Sequence, residues 1–147
     1  MTFQMFAMLT CVKRGTREIL GTRIYERFFG SRCFAYQLFL DQHLSFADYE
    51  VINQWTSFLD TLSEIPSPET IVYIRAEPEL CFGRMSGRHR NEEANVSMQY
   101  INNLHDLHED WLIRRTKFTV PNNCDVIILD GSKETKVLVN EFTTLLK

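Results

Sequence analysis

The sequence predicts an α/β fold built on a parallel sheet. Short apolar runs alternate with longer segments of helical period, which is the pattern of strands joined by crossover helices. The run Ile71-Val72-Tyr73-Ile74 is apolar at consecutive positions, as a strand covered on both faces requires. Charged residues close each expected strand: Glu26-Arg27, Arg75 and Asp130. In parallel sheets the ligand site lies beyond the carboxyl ends of the strands, so these positions are where chemistry is expected.

Residues 2 to 13 are largely apolar and read as a helix, and Gly15 and Gly21 bracket the connection after it. Arg23 to Phe28 reads as a first strand. Cys33 to Leu40 reads as a helix and Asp41 to Asp48 as polar loop. From Tyr49 to Leu62, apolar residues at 51, 52, 55, 58, 59 and 62 keep a helical period, with Pro66 and Pro68 as the stop. Thr70 to Arg75 is a second strand. Glu77-Pro78-Glu79 opens the next helix, with proline in its first turn and acids at its positive end. The residues at 98, 101, 104, 107, 108, 111 and 112, apolar but for His108, predict one amphipathic helix from Val96 to Ile113. Pro121-Asn122-Asn123 is a turn, Val126 to Leu129 a third buried strand, and residues 134 to 146 a closing helix.

At 147 residues the chain reads as a single domain, residues 1–147. A net charge of −3 gives no general attraction to nucleic acid or to an anionic membrane. No apolar run approaches the ~18 residues of a membrane span. Neither a nucleic-acid nor a membrane partner is expected. The four cysteines form no C-x-x-C pair and lack zinc spacing, so they read as reduced, mostly buried thiols of an intracellular protein. Asn95-Val96-Ser97 matches a glycosylation sequon, a tripeptide common by chance. Lys13, Arg14 and Arg17 without any acid in the first 17 residues could mark a transit peptide, but an ordinary helix with a basic end is the preferred reading.

Three arginines fall within seven residues, at 84, 88 and 90, and Glu92 and Glu93 come directly after. Guanidinium groups donate paired hydrogen bonds to phosphate oxygens, and a carboxylate beside them can accept from a sugar hydroxyl. Arg84 and Arg88 lie one helical turn apart and share a face. The alternative is a solvated basic face balanced by the two glutamates. Glu26-Arg27 could set a guanidinium beside a reacting hydroxyl, and the alternative there is a structural ion pair at a sheet edge. His105-Asp106-Leu107-His108-Glu109 places its histidines at i and i+3, not the i and i+4 of zinc proteases, so no metal site is expected.

Residues 70 to 112 closely resemble the deoxynucleoside kinases, on the branch of the mitochondrial thymidine kinases and the insect multisubstrate enzymes. The resemblance is carried by Tyr73-Ile74-Arg75, Pro78-Glu79, Arg84, Arg88-His89-Arg90, Glu92-Glu93 and the run Leu104 to Leu112, with Glu26-Arg27, Phe34, Phe3-Gln4 and Leu9-Thr10 elsewhere. It implies a P-loop-kinase-like sheet flanked by helices, and transfer of the γ-phosphoryl group of ATP, with magnesium, to the 5′-hydroxyl of a deoxynucleoside, with a pyrimidine preferred. Gln4 would hydrogen-bond the base while Phe3 and Phe34 pack on its faces. Arg27 would lie by the 5′-hydroxyl and help hold the catalytic carboxylate. Arg84, Arg88 and Arg90 would close as a lid over the ATP phosphates, Glu93 would bind the sugar 3′-hydroxyl, and Asp130-Gly131-Ser132 would meet adenine. Positioning and charge stabilisation of this kind are what phosphoryl transfer needs.

The sequence also departs from the family pattern. It contains no G-x-x-x-x-G-K-[ST] loop. That loop, the glutamate general base and the central strand of the family's sheet are expected upstream of residue 1. The expectation is therefore a truncated kinase domain, poorly stable and inactive alone. The connection from Arg27 to Phe34 is two residues shorter than the family pattern, and Phe28 stands where serine is usual. Ser86 replaces a further lid arginine, and Gly83 and Gly87 loosen the lid helix by ~1 kcal/mol each. The resemblance leaves room for two other functions. The family dimerises through helices matching residues 33 to 40 and 98 to 113, so the chain could form a homodimer, or a heterodimer that regulates a full-length kinase. It could also bind nucleotide without turnover.

Overall fold

The computed structural model describes residues 2–17, 20–27, 30–62, 65 and 67–146. Six α-helices and two strands run in the order α1 (Thr2–Gly15), α2 (Cys33–Leu40), α3 (Phe46–Leu59), β1 (Thr70–Arg75), α4 (Pro78–Gly87), α5 (Met98–His108), β2 (Asp125–Asp130) and α6 (Thr135–Leu145) among those residues. They divide into two compact units, Met1–Glu69 with Pro121–Asn123, and Thr70–Val120 with Cys124–Lys147. The architecture is α/β, as the alternation of patterns predicts.

In the first unit three helices enclose two small apolar clusters. Met5, Met8 and Val12 recur at helical spacing and turn one face of α1 inward. Met8, Cys11 and Val12 pack with Leu59, Leu62 and Ile65, while Met5 and Met8 pack with Ala35, Leu44 and Ile52. Rings add to this packing where Phe39 stacks on Tyr49 with centroids 5.1 Å apart. Gln42 is in the left-handed region at φ 60°, which turns the chain sharply after α2 so that His43 and Leu44 both donate to the Leu38 carbonyl.

Helix α3 lies three residues earlier than its apolar period predicts, at both ends. Ser45 caps it by accepting from the Asp48 amide at 3.0 Å, so Phe46 to Asp48 are first-turn residues and not loop. It ends through tight turns from Thr61 to Phe58 and Leu62 to Leu59, before either proline is reached. Leu62 keeps its place in the core without being helical. Pro66 lies outside the described residues.

The strand expected at Arg23 to Phe28 is not found over residues 23–27, and Phe28 lies outside the described residues. A strand needs a neighbour to receive its ladder of hydrogen bonds. Among the described residues the only ladder is β1 with β2. Instead the Arg23 guanidinium donates to the carbonyls of Gly15 and Arg17, closing this segment on the end of α1.

The second unit holds the sheet. β1 and β2 pair in parallel, in register from Thr70 against Asp125 to Arg75 against Asp130. A parallel pair requires a long crossover, and the segment carrying α4 and α5 supplies it. The helix expected from 96 to 113 is divided. Ser97 caps α5 through the Tyr100 amide at 3.1 Å. After His108 the chain widens into a π turn, Glu109–Ile113, closed by the Arg114 amide on the Glu109 carbonyl at 2.8 Å. That turn buries Trp111 and Leu112. The expectation of strands covered on both faces holds only in part, because Ile74 and Ile128 stay 54% and 50% exposed. No helix among the described residues is long and apolar enough to cross a membrane.

Candidate functional site

The arginine-rich segment is shaped by how α4 ends. The helix runs to Gly87 and caps at Arg88, and His89 takes the left-handed conformation at φ 50°. Arg88 and His89 donate to the carbonyls of Met85 and Ser86 at 3.1 and 3.2 Å. A helix commonly closes on such a residue, usually glycine. The chain reverses, and a short 3-10 turn over Asn91–Glu93 returns Glu93 toward the helix end. Arg88 Nη2 then lies 3.1 Å from Glu93 Oε1 and 3.2 Å from Oε2. Arg90 Nη1 reaches Oε1 at 3.6 Å. Arg90 and Glu93 also line a cleft of about 360 Å³, with Phe82, Met85, His89 and Val96 among its walls.

Arg84 takes another course. Its Nη1 donates to the Gly131 carbonyl at 2.7 Å, which ties α4 to the turn after β2. So Arg88, Arg90 and Glu93 form one cluster, while Arg84 joins the Asp130-Gly131-Ser132 turn at the carboxyl ends of the two strands. Gly131 donates to the Arg75 carbonyl at 2.6 Å across those ends. A Cβ at residue 131 would stand 2.8 Å from that carbonyl oxygen and 2.9 Å from Ala76 Cβ, so only glycine fits. Asp130 Oδ1 accepts from the Ser132 hydroxyl at 2.7 Å and the Ser132 amide at 2.9 Å. Those two bonds hold the Asp130 carboxyl below its ordinary range.

Sequence reasoning missed the polar centre of this unit. Glu109, at the first position of the π turn, is buried and accepts from Tyr73 Oη at 3.1 Å and Arg75 Nε at 3.0 Å. Arg75 also bonds Glu77 at 3.2 Å. Burial alone would raise the Glu109 carboxyl, but the bonds from Arg75 and then Tyr73 outweigh it and hold it low. Burial, with the hydrogen bond to Glu109 second, pushes the Tyr73 phenol up. Tyr73 and Arg75 are two apart on a strand and therefore share a side, a signal the sequence did contain. His108 Nδ1 donates to the Leu104 carbonyl at 2.7 Å, and its ring stacks on Tyr73. Both contacts make it part of the packing.

In the first unit the structure joins two of the four expected residues. The Arg27 guanidinium sits 4.1 Å from the centroid of the Phe34 ring, a cation–π contact. The Cys11 thiol donates to the Arg27 carbonyl at 3.8 Å. Phe3 and Gln4 stand side by side on α1, Phe3 76% exposed and Gln4 half-buried.

The fold is that of the α/β proteins with a parallel sheet, and Arg84 joins the Asp130 turn at the carboxyl ends of its strands, where such sheets ordinarily take ligands. The family model of the deoxynucleoside kinases matches residues 1–146. Human mitochondrial thymidine kinase 2 is 29% identical over 145 residues, covering 97% of this chain and 54% of that protein. The macaque counterpart is 31% identical over 137 residues, covering 91% and 51%. The mitochondrial deoxyguanosine kinase of Xenopus laevis is 34% identical over 105 residues, covering 69% and 40%. The chain belongs to the deoxynucleoside kinase family. It spans about half the length of the curated relatives it matches.

Proposed function

We propose that the chain carries the lid and acceptor-binding part of an ATP-dependent deoxynucleoside kinase, and that both compact units belong to one such domain. The complete protein would transfer a phosphoryl group from ATP to the 5′-hydroxyl of a deoxynucleoside, with a pyrimidine preferred. The supporting observation is the turn after α4, which folds Arg88, Arg90 and Glu93 into one cluster beside a cleft. In this reading Arg84, Arg88 and Arg90 bind phosphate oxygens, Glu93 takes the sugar 3′-hydroxyl, and Gln4, Phe3 and Phe34 hold the base. Arg27 faces the acceptor hydroxyl, and Asp130 lies toward adenine. Magnesium would arrive with ATP, and no residue of this chain is assigned to it. The 147-residue chain alone is expected to be inactive. The cysteines are all free thiols, which supports a reducing compartment, mitochondrial or cytoplasmic.

Calorimetric titration of the chain with ATP and with thymidine tests this. Arg88→Ala and Arg90→Ala should weaken ATP, and Gln4→Ala should weaken thymidine while leaving ATP unchanged. Loss of neither would sink the assignment. A second reading is a non-catalytic subunit that pairs with a full-length kinase. The exposure of Ile74 and Ile128 favours it, since parallel sheets are ordinarily covered on both faces. Co-purification with a full-length relative would support it, and a strictly monomeric chain in the mixture would rule it out.

A further inference from the structure

The two guanidinium groups that the proposed function gives to phosphate already hold the carboxylate that it gives to the sugar. Arg88 contacts both oxygens of Glu93 and Arg90 approaches one of them. Among the described residues neither arginine makes another ion pair. Arg84 differs, being engaged by a backbone carbonyl and not by an acid.

We propose that Glu93 is an internal competitor for polyphosphate, so that Arg88, Arg90 and Glu93 form a latch. While the latch is closed, the carboxylate oxygens are occupied by guanidinium donors and are poor acceptors for a sugar hydroxyl. A polyphosphate that takes the arginines releases them. Donor and acceptor binding are then coupled through one exchange of partners, and the coupling is reciprocal. The surroundings suit an exchange. The side chains of Arg88 and Arg90 are more than half exposed, so an anion from solvent reaches them directly. Exposed ion pairs contribute little net stability, so a multiply charged anion displaces one readily. The Arg75 pair with Glu109 differs, because its carboxylate is buried and also bonded by Tyr73.

This inference rests on the assignment of the arginines to phosphate, and its test separates the two. Tripolyphosphate is titrated into the 147-residue chain at fixed ionic strength, with variants Glu93→Gln, Glu92→Gln, Arg88→Ala and the double change of residues 88 and 93. Glu92 precedes Glu93, is exposed, and makes no ion pair among those described, so it controls for loss of one negative charge. The latch predicts about fivefold tighter binding for Glu93→Gln, at the upper end of what exposed pairs are worth. It predicts less than about twofold for Glu92→Gln, where only screened local charge changes. The gain at 93 should vanish when Arg88 is alanine. Equal gains at 92 and 93 overturn the latch. So does an unchanged Glu93→Gln when Arg88→Ala still weakens binding, an outcome that leaves the phosphate assignment standing. Binding that is indifferent to Arg88 and Arg90 removes that assignment and the latch together.

Discussion

The unit Thr70–Val120 with Cys124–Lys147 is braced at its strand ends by a buried carboxylate and by guanidinium hydrogen bonds, whereas Met1–Glu69 is braced by apolar helix faces and ring contacts. In the former, Glu109 binds Tyr73 and Arg75 across 34 residues of sequence or more, and Arg84 reaches Gly131 across 47. In the latter, Met5, Met8 and Val12 pack on Ile52, Leu59 and Ile65, and the charged candidate Arg27 lies over a single ring. The difference concerns tolerance. Apolar packing degrades gradually as side chains are trimmed, because neighbours relax into the space. A buried carboxylate with two donors fails abruptly, because removing one partner strands the others.

The sharpest way to break this contrast is Glu109→Ala. It leaves Tyr73 without its acceptor and Arg75 with Glu77 alone, and should cost about 3 kcal/mol, the upper end for a partner left unsatisfied, read from the urea midpoint. The same pair gives a pH signature. The folded Glu109 carboxyl lies below its ordinary value of 4.5, so its contribution is present above that value and lost as pH falls through the folded one. The stability gap between wild type and Glu109→Gln should therefore close on acidification. A gap that stays constant with pH would show that the carboxylate charge is not what matters.

Gly131→Ala comes next, at about 2 kcal/mol, because its methyl group meets a backbone oxygen that cannot swing away. His89→Val should cost about 1 kcal/mol, since a β-branched residue resists the left-handed region, while His89→Gly should be nearly neutral. The smallest effect is expected in the first unit. Arg27→Ala removes a partly solvated cation–π contact and should change stability by about 0.5 kcal/mol. A loss there as large as that at Glu109 would erase the contrast between the units.

Both kinds of bracing left different traces in the sequence. Helices were legible where one face alternates with solvent, and α2 and β1 fall on the residues their patterns mark. Ser45 and Ser97 show what periodicity misses, since a cap is set by one hydroxyl and moves a boundary by several residues. Residues 23 to 27 have strand composition without a partner, and pairing is a tertiary fact that local composition does not contain. The arginine cluster was legible as residue types; of the two glutamates expected beside it, Glu93 pairs with Arg88 and Arg90, while Glu92 makes no ion pair among those described. The separation of Arg84 from Arg88 was not legible, because it depends on where the turn after β2 brings Gly131. Glu109 was hidden by its setting between histidines, which drew attention to metals instead of to the strand opposite.

The π turn at Glu109–Ile113 carries a consequence for insertions and deletions. Such a turn is an α-helix that has absorbed an extra residue, and its wider hydrogen bonding sets the rotational phase of the residues beyond it. Losing one residue there would restore a regular helix but swing Trp111 and Leu112 about 100° around the axis, by the 3.6 residues of each helical turn. Both would leave the interior together. A codon deleted within 109 to 113 should therefore abolish folding, so the length of this one turn is constrained more tightly than its amino acids.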